Sequence, residues 1–186
     1  MSRKIVIVGV GGTLREGSST ERAVSDVLHH VESLGAATEL IAGPSLAMPF
    51  YSTETDDRTD EARTLVDALR RADGVVIGSP GYHGGVSGLL KNALDYVEDL
   101  RADDRPYLDG RAVGLIASAA GEQAAMTTLG MLRNITHALR GVPTPYGCVF
   151  NSADRSAERI NDTANKLKLL GDQVFTIAEA LSALRD

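Results

Sequence analysis

Apolar and polar positions follow one another in blocks along this chain. Short, near-continuous apolar runs occupy Lys4–Val10, Ala37–Ala42, Gly74–Gly78, Arg111–Ala117 and Val142–Phe150. Runs of this length, rich in Val and Ile, fit strands buried on both faces of a parallel sheet. Between them apolar residues recur every three or four positions, as on one face of an amphipathic helix. Ala23, Val24, Val27, Leu28, Val31 and Leu34 make the first stripe. Leu65, Val66 and Leu69 make the second, within Thr59–Ala72, and Leu89, Leu90, Ala93, Leu94 and Val97 the third, within Ser87–Leu100. Met126, Leu129, Leu132, Ile135 and Leu139 form the fourth, within Glu122–Arg140. Ile160, Ala164, Leu167, Val174, Ala178 and Leu181 form the fifth, within Arg155–Leu184. Strands alternating with helices through short loops predict an α/β fold: a doubly wound, five-stranded parallel sheet in a three-layer α/β/α sandwich, one domain over residues 1–186.

Local signals sharpen these boundaries. Ser18 or Ser19 is the expected N-cap of the first helix, Glu21 stands three after Ser18 as in a capping box, and Gly35 is the stop. Ser87 occupies the N-cap position of the third. The one long link, Gly43–Arg58, holds Pro44, Met48-Pro49-Phe50-Tyr51 and the acidic Glu54, Asp56 and Asp57. Apolar residues inside such a loop point to a lid, a ligand wall or a partner surface, or to packing beneath the loop itself.

Composition narrows the class. The 186 residues are 43% hydrophobic and 24% charged, as in ordinary globular proteins, and no apolar run approaches the roughly 20 residues that span a bilayer. Ile5–Val8 is followed by Gly9, Gly11, Gly12 and Arg15, so it reads as a first strand rather than a signal peptide, and a cytoplasmic protein is expected. A net charge of −6 argues against a nucleic-acid or membrane surface and leaves room for an anionic small ligand at a locally positive site. The single Cys148 lies in an apolar run and is expected to be a buried strand thiol. It excludes an intrachain disulfide and cysteine-ligated zinc or iron–sulfur sites. His29, His30 and His137 lie on predicted helices without metal-ligand spacing, so no metal is expected.

Two loops carry the candidate chemistry. The first strand runs into Gly9-Val10-Gly11-Gly12-Thr13-Leu14-Arg15-Glu16-Gly17-Ser18-Ser19-Thr20. Leu14 stands where a dinucleotide fingerprint needs its third glycine, and the lysine of a triphosphate loop is missing. What remains is a hydroxyl-rich loop with one arginine, in which Thr13, Arg15, Ser18, Ser19 and Thr20 feed a helix N-terminus. Hydroxyls, N–H groups and the helix dipole there suit a terminal phosphomonoester. The third strand ends in Ser79-Pro80-Gly81-Tyr82-His83-Gly84-Gly85-Val86-Ser87-Gly88, at the carboxyl edge where open α/β sheets bind ligands. Pro80 restrains the entry, and Gly81, Gly84 and Gly85 are expected to supply free dihedrals that let the main chain pass close to something flat.

Gly12 to Thr20 resembles the G-S-x-R-x-x-S-x-[NT] FMN-phosphate loop of the NAD(P)H-dependent FMN reductase family, which has the flavodoxin-like fold. Pro80 to Asn92 is similar to its second signature, P-x-Y-x-x-S-x-[SP]-G-x-L-K-N. The two motifs in this order are together specific. The resemblance implies that Thr13, Arg15, Ser18 and Thr20 hold the FMN phosphate, with Ser19 in the same turn. It implies that Pro80, Gly81, Tyr82, His83 and Gly84 line the isoalloxazine ring, and that Ser118 to Gly121 approach it from the neighbouring strand. Thr13 stands where serine is usual, Thr20 where asparagine is common, and Gly85 where serine is frequent. Lys91 and Asn92 are expected to fix the loop, and Lys91 to pair with Asp95. His83 can modulate the flavin, while hydride transfer requires no acid, base or nucleophile from the protein.

The implied activity is oxidoreduction: FMN takes hydride from NADH or NADPH at N5 and passes electrons to a small acceptor. That acceptor is a quinone, an azo compound, a metal oxyanion, or free flavin for a partner flavin-dependent monooxygenase. The competing class is a non-catalytic electron carrier of the flavodoxin type, against which stand the single aromatic of the ring loop and the modest charge. Family members commonly build the site across a dimer interface. With Met48–Tyr51 apolar in a loop, a homodimer or homotetramer is expected here too. Some flavin-supplying members carry an inserted tyrosine or histidine that makes a π-bulge in the fourth helix. Glu122–Arg140 has no tyrosine, and its His137 sits near the end, where a cation suits the helix C-terminus, so an uninterrupted helix, retained FMN and a quinone or azo acceptor are expected.

Overall fold

A computed structural model describes residues 3–185. The strands are β1 (Val6–Gly11), β2 (Ala37–Ile41), β3 (Gly74–Pro80), β4 (Ala112–Ala119), β5 (Val142–Pro143) and β6 (Cys148–Asn151). The helices are α1 (Ser19–Ser33), α2 (Asp60–Arg71), α3 (Gly88–Asp95), α4 (Glu122–Ala138) and α5 (Ala157–Ala183). The sheet is parallel in the order β2-β1-β3-β4-β5, with β6 also on β4. Alternate strand residues face opposite layers. Val8, Val75, Ile77, Val113 and Leu115 pack with α2, α3 and α4, whereas Ile7, Val76, Ile116 and Cys148 pack with α1 and α5. The doubly wound reading holds.

The fifth strand is a correction. Val142–Phe150 is not continuous: Pro143 and Pro145 have no N–H for the ladder, and the chain leaves the sheet after Thr144. Thr144 N–H still reaches Val113 O at 3.0 Å, its hydroxyl donates to Tyr146 O at 2.7 Å, and Tyr146 N–H turns to Gln173 Oε1 of α5 at 2.9 Å. Pairing resumes where Cys148 meets Ile116. The third predicted helix also differs, since α3 ends at Asp95 and tightens into a 3₁₀ turn over Tyr96–Leu100.

Two stripes hold at their centres and differ from the prediction at particular positions. In α4 Leu129 and Leu132 face inward as predicted, joined by Ala125, Thr128 and Thr136, smaller side chains that a count of large apolar residues misses, while Met126 is 54% exposed. In α5 the first fully buried residue is Leu167, so Ile160, two turns earlier, overhangs the core at 57% exposure. Cys148 is fully buried, and burial pushes its thiol up to about 12.

The Gly43–Arg58 link is fastened down. Met48 is buried, while Tyr51 stands edge-on to Tyr96 with centroids 5.3 Å apart and beneath the Arg58 guanidinium, which makes two hydrogen bonds to Asp99 at 2.7 and 2.9 Å. Asn92 accepts from Tyr51 N–H at 2.9 Å and donates to the carbonyls of Met48 and Pro49. Of the link's large apolar residues Phe50 is left outside, 90% exposed. At the opposite edge of the sheet, the fully buried Asp73 carboxylate accepts from Arg3, Arg185 and Val6 N–H, joining the two ends of the described chain.

Candidate functional site

Both motif loops leave the carboxyl edge of adjacent strands, β1 and β3, and the structure bonds them together. Gly12 N–H donates to Gly78 O at 2.8 Å. Ser87 Oγ donates to Gly12 O at 2.7 Å while accepting from Leu90 N–H at 3.1 Å as the N-cap of α3. Ser79 Oγ accepts from Ser87 N–H at 3.1 Å. A side chain at Gly12 would put its Cβ 2.8 Å from Gly78 O, so only glycine permits this approach. Sequence reading saw Ser87 as a cap; its link to the other loop is visible only in three dimensions.

The phosphate loop is arranged around Ser18. Its Oγ caps α1 by accepting from Glu21 N–H at 3.2 Å and lies 2.7 Å from Thr13 Oγ1. Glu21 does not return a bond to Ser18 N–H, which goes to Arg15 O, so the capping box is half closed. Ser19 and Thr20 occupy the first turn of α1, where backbone N–H groups have no intrahelical acceptor and carry the positive end of the dipole. The Arg15 guanidinium is exposed and makes no hydrogen bond or ion pair among the described residues. A free guanidinium, free first-turn donors and hydroxyls fit a phosphate dianion at this turn.

Two of the expected contact residues meet each other. Thr20 and Ser118 are 1% and 2% exposed, and their hydroxyls lie 2.8 Å apart. Their hydroxyls bond to each other, tying the start of α1 to the end of β4. Thr20 still contributes its N–H.

The β3–α3 loop folds into a tight turn. Tyr82 and Gly85 exchange N–H to O bonds of 3.0 Å both ways, around His83 with φ 52° and Gly84 with φ 80°, the type I′ pattern. Only Gly84 among the three glycines uses a positive φ. Gly81 and Gly85 are glycines for space: a Cβ at Gly81 would lie 2.8 Å from Thr128 Oγ1, and one at Gly85 3.2 Å from Met131 Sδ. The turn therefore leans on α4, with Tyr82 57% exposed at its base and His83 exposed at its tip. Gly81 N–H donates to Ser118 O at 2.7 Å, which brings Pro80–Gly84 beside the Ser118–Gly121 turn. Gly121 is the N-cap of α4 without a side-chain cap bond, and no atom lies within 4 Å of where its Cβ would be. An open backbone shelf with a helix N-terminus at one side fits a flat, polar-edged ring. Lys91 pairs with Asp95, as its spacing implies.

A protein-family model described as NADPH-dependent FMN reductase matches residues 5–155. An FMN-dependent NADPH-azoreductase of Staphylococcus aureus (strain USA300) is 25% identical over 181 residues, 92% of this chain and 93% of its own. One of Staphylococcus haemolyticus is 33% identical over 106 residues, 55% of this chain, and the match spans about half of that relative's length, 53%. Among solved structures, an apo NADH:FMN oxidoreductase superposes with a TM-score of 0.72 at 20% identity, covering 95% of this chain and 90% of its own, which shows the shared fold. With the matched region spanning both loops and most of the sheet, the chain belongs to the NADPH-dependent FMN reductase family and is an NAD(P)H-dependent, FMN-using oxidoreductase.

Proposed function

We propose that this reductase holds FMN through turnover and delivers electrons from NADPH to a quinone or azo acceptor at the same site. The observation that carries the reading is the bonded pair of loops, which sets a free guanidinium and first-turn N–H groups at one end and an open shelf at the other. Arg15, Ser18, Ser19, Thr13 and the Thr20 N–H would hold the phosphate; Pro80, Gly81, Tyr82, His83, Gly84 and Gly121 would carry the ring. Bound there, FMN supplies hydride acceptance at N5 and electron release to the acceptor. The chain's part is to position: bonds through Gly12, Ser79 and Ser87 hold the two loops to each other, which lowers the ordering cost of the reacting geometry. The uncapped first turn of α4 would offer positive partial charge to a polar edge of a ring held on the shelf.

α4 is α-helical without interruption from Glu122 to Ala138, which favours retained FMN over its release to a monooxygenase. The names of the staphylococcal relatives favour an azo acceptor. The exposed Phe50, Tyr82, Met126 and Met131 favour a second copy covering the open side, in a homodimer or homotetramer working in the cytoplasm. Steady-state kinetics with NADPH and NADH against free FMN, a quinone and an azo dye test the reading. A yellow protein that turns over quinone and azo dye faster than free FMN supports it, and a colourless protein with free FMN as its best acceptor overturns it.

A further inference from the structure

Next to the phosphate loop lies a groove of about 450 Å³ between the first turns of α1 and the start of α5. Its floor is apolar, with Phe150 of β6, Ala164, Leu167 and the 57% exposed Ile160. Its rim carries Arg15, Arg22, Arg155 and Arg159 against two carboxylates, Asp26 and Asp154. In a chain of net charge −6, this is a local excess of positive charge above an apolar floor.

The four guanidinium groups are not equally free. Arg22 donates to Gly17 O, and Arg15 belongs to the phosphate loop. Arg159 stands 3.5 Å from Asp154, longer than a hydrogen bond and open to a better acceptor. Arg155 has no hydrogen bond or ion pair among the described residues, and nothing at the flavin site uses it.

Position supplies the second argument. Phe150 and Asn151 stand in register with Ser118 and Ala119, so the floor lies one strand spacing, about 4.8 Å, from the turn that approaches the ring. Arg15 and Ser19 border the groove at the phosphate end. A ligand whose reactive end meets the ring can therefore run outward along the β6 edge into the groove.

We propose that the groove receives the adenosine 2′-phosphate end of NADPH, with the adenine over Phe150 and Ile160 and the 2′-phosphate between Arg155 and Arg159. This rests on the reductase reading above and assigns its nucleotide preference to a place. A phosphomonoester carries between one and two negative charges near neutral pH, so it distinguishes itself from the NADH hydroxyl by needing the cations that the groove has in excess.

The test uses the FMN-loaded protein and its Arg155→Glu variant, whose changed residue is exposed and precedes α5. Calorimetry with adenosine 2′,5′-bisphosphate and with adenosine 5′-monophosphate is expected to show about tenfold tighter binding of the former, lost in the variant. The KM for NADPH is expected to rise about tenfold or more in the variant while kcat and the KM for NADH stay unchanged. Equal affinity for the two adenosine phosphates, or equal shifts for NADH and NADPH, overturns the assignment. So does displacement by a sulfonated azo dye without displacement by the bisphosphate, which would make the groove an acceptor site. If neither nucleotide is oxidised, the reductase reading fails by itself, and the calorimetry still reads the groove.

Discussion

Arg15 and Thr20 show two ways in which a single residue of the phosphate loop matters. The Arg15 guanidinium has no hydrogen bond or ion pair among the described residues, and the bonds the loop makes to Arg15 use its backbone carbonyl, so removing the side chain takes nothing from the fold. Arg15→Ala is expected to weaken FMN binding by about 1.5–3 kcal/mol, one lost charge-assisted contact, with an unchanged unfolding midpoint of the apoprotein. Titration calorimetry beside a denaturant melt checks this, and unchanged FMN affinity would make Arg15 a solvated bystander. Thr20 behaves in the opposite way. Thr20→Val keeps the shape but leaves the buried Ser118 hydroxyl without its 2.8 Å partner, at a cost of about 1–3 kcal/mol in the apoprotein melt. If Thr20→Val melts like wild type while losing FMN, the hydroxyl faces the cofactor after all.

At the scale of elements, α3 does more than fill the sheet's face. Its Asn92 satisfies three backbone groups of the long link, at Met48, Pro49 and Tyr51, and Tyr96 OH adds a bond to Pro49 O at 3.0 Å. The helix that starts beside the ring loop thus also fixes the long link between β2 and α2. Asn92→Leu is expected to destabilise the protein by about 1–3 kcal/mol, because those groups are part-buried and lose their partner. Hydrogen exchange should speed up over Gly43–Arg58 and not over β1 or β3, whose amides belong to the ladder. Uniform acceleration across the chain would show that Asn92 serves the core rather than the link.

At the scale of the whole molecule, the two edges of the sheet are built differently. The carboxyl edge is open for chemistry, and the amino edge is closed by charge. Burial alone would raise the Asp73 carboxyl, but hydrogen bonds from Arg3, Val6 N–H and Arg185 outweigh it and hold the group below its ordinary value. A depressed folded value means that the stabilisation is fully present above the ordinary carboxylate value near ~4 and is lost as pH falls through the folded value. Asp73→Asn is expected to cost about 1.5–3 kcal/mol near neutral pH and to flatten the stability profile below pH ~4. Urea melts across pH check it, and an unaltered acid limb would clear Asp73 of the role. On the open side, Phe50, Tyr82, Met126 and Met131 stay exposed in one chain. Light scattering is expected to give at least twice the 19.7 kDa chain mass, and a monomer at micromolar concentration with FMN bound would remove the proposed assembly.

The sequence by itself determined the layer order, because a strand buried on both faces must be apolar throughout and a helix on one face must repeat near every 3.6 residues. It also singled out the two loops proposed to hold the cofactor, because a helix N-terminus suited to a phosphate needs hydroxyls and donors within one turn. What it could not determine were choices made by distant neighbours. Met126 and Ile160 have the same apolar chemistry as buried residues, and only the packing of Ala125, Thr128 and Leu167 turns them outward. Val142–Phe150 reads as one strand until Pro143 and Pro145 are required to serve a ladder they cannot donate to. Thr20 and Ser118 look like ligand hydroxyls until they are found 2.8 Å apart across 98 residues of chain, which is a contact that no local pattern encodes.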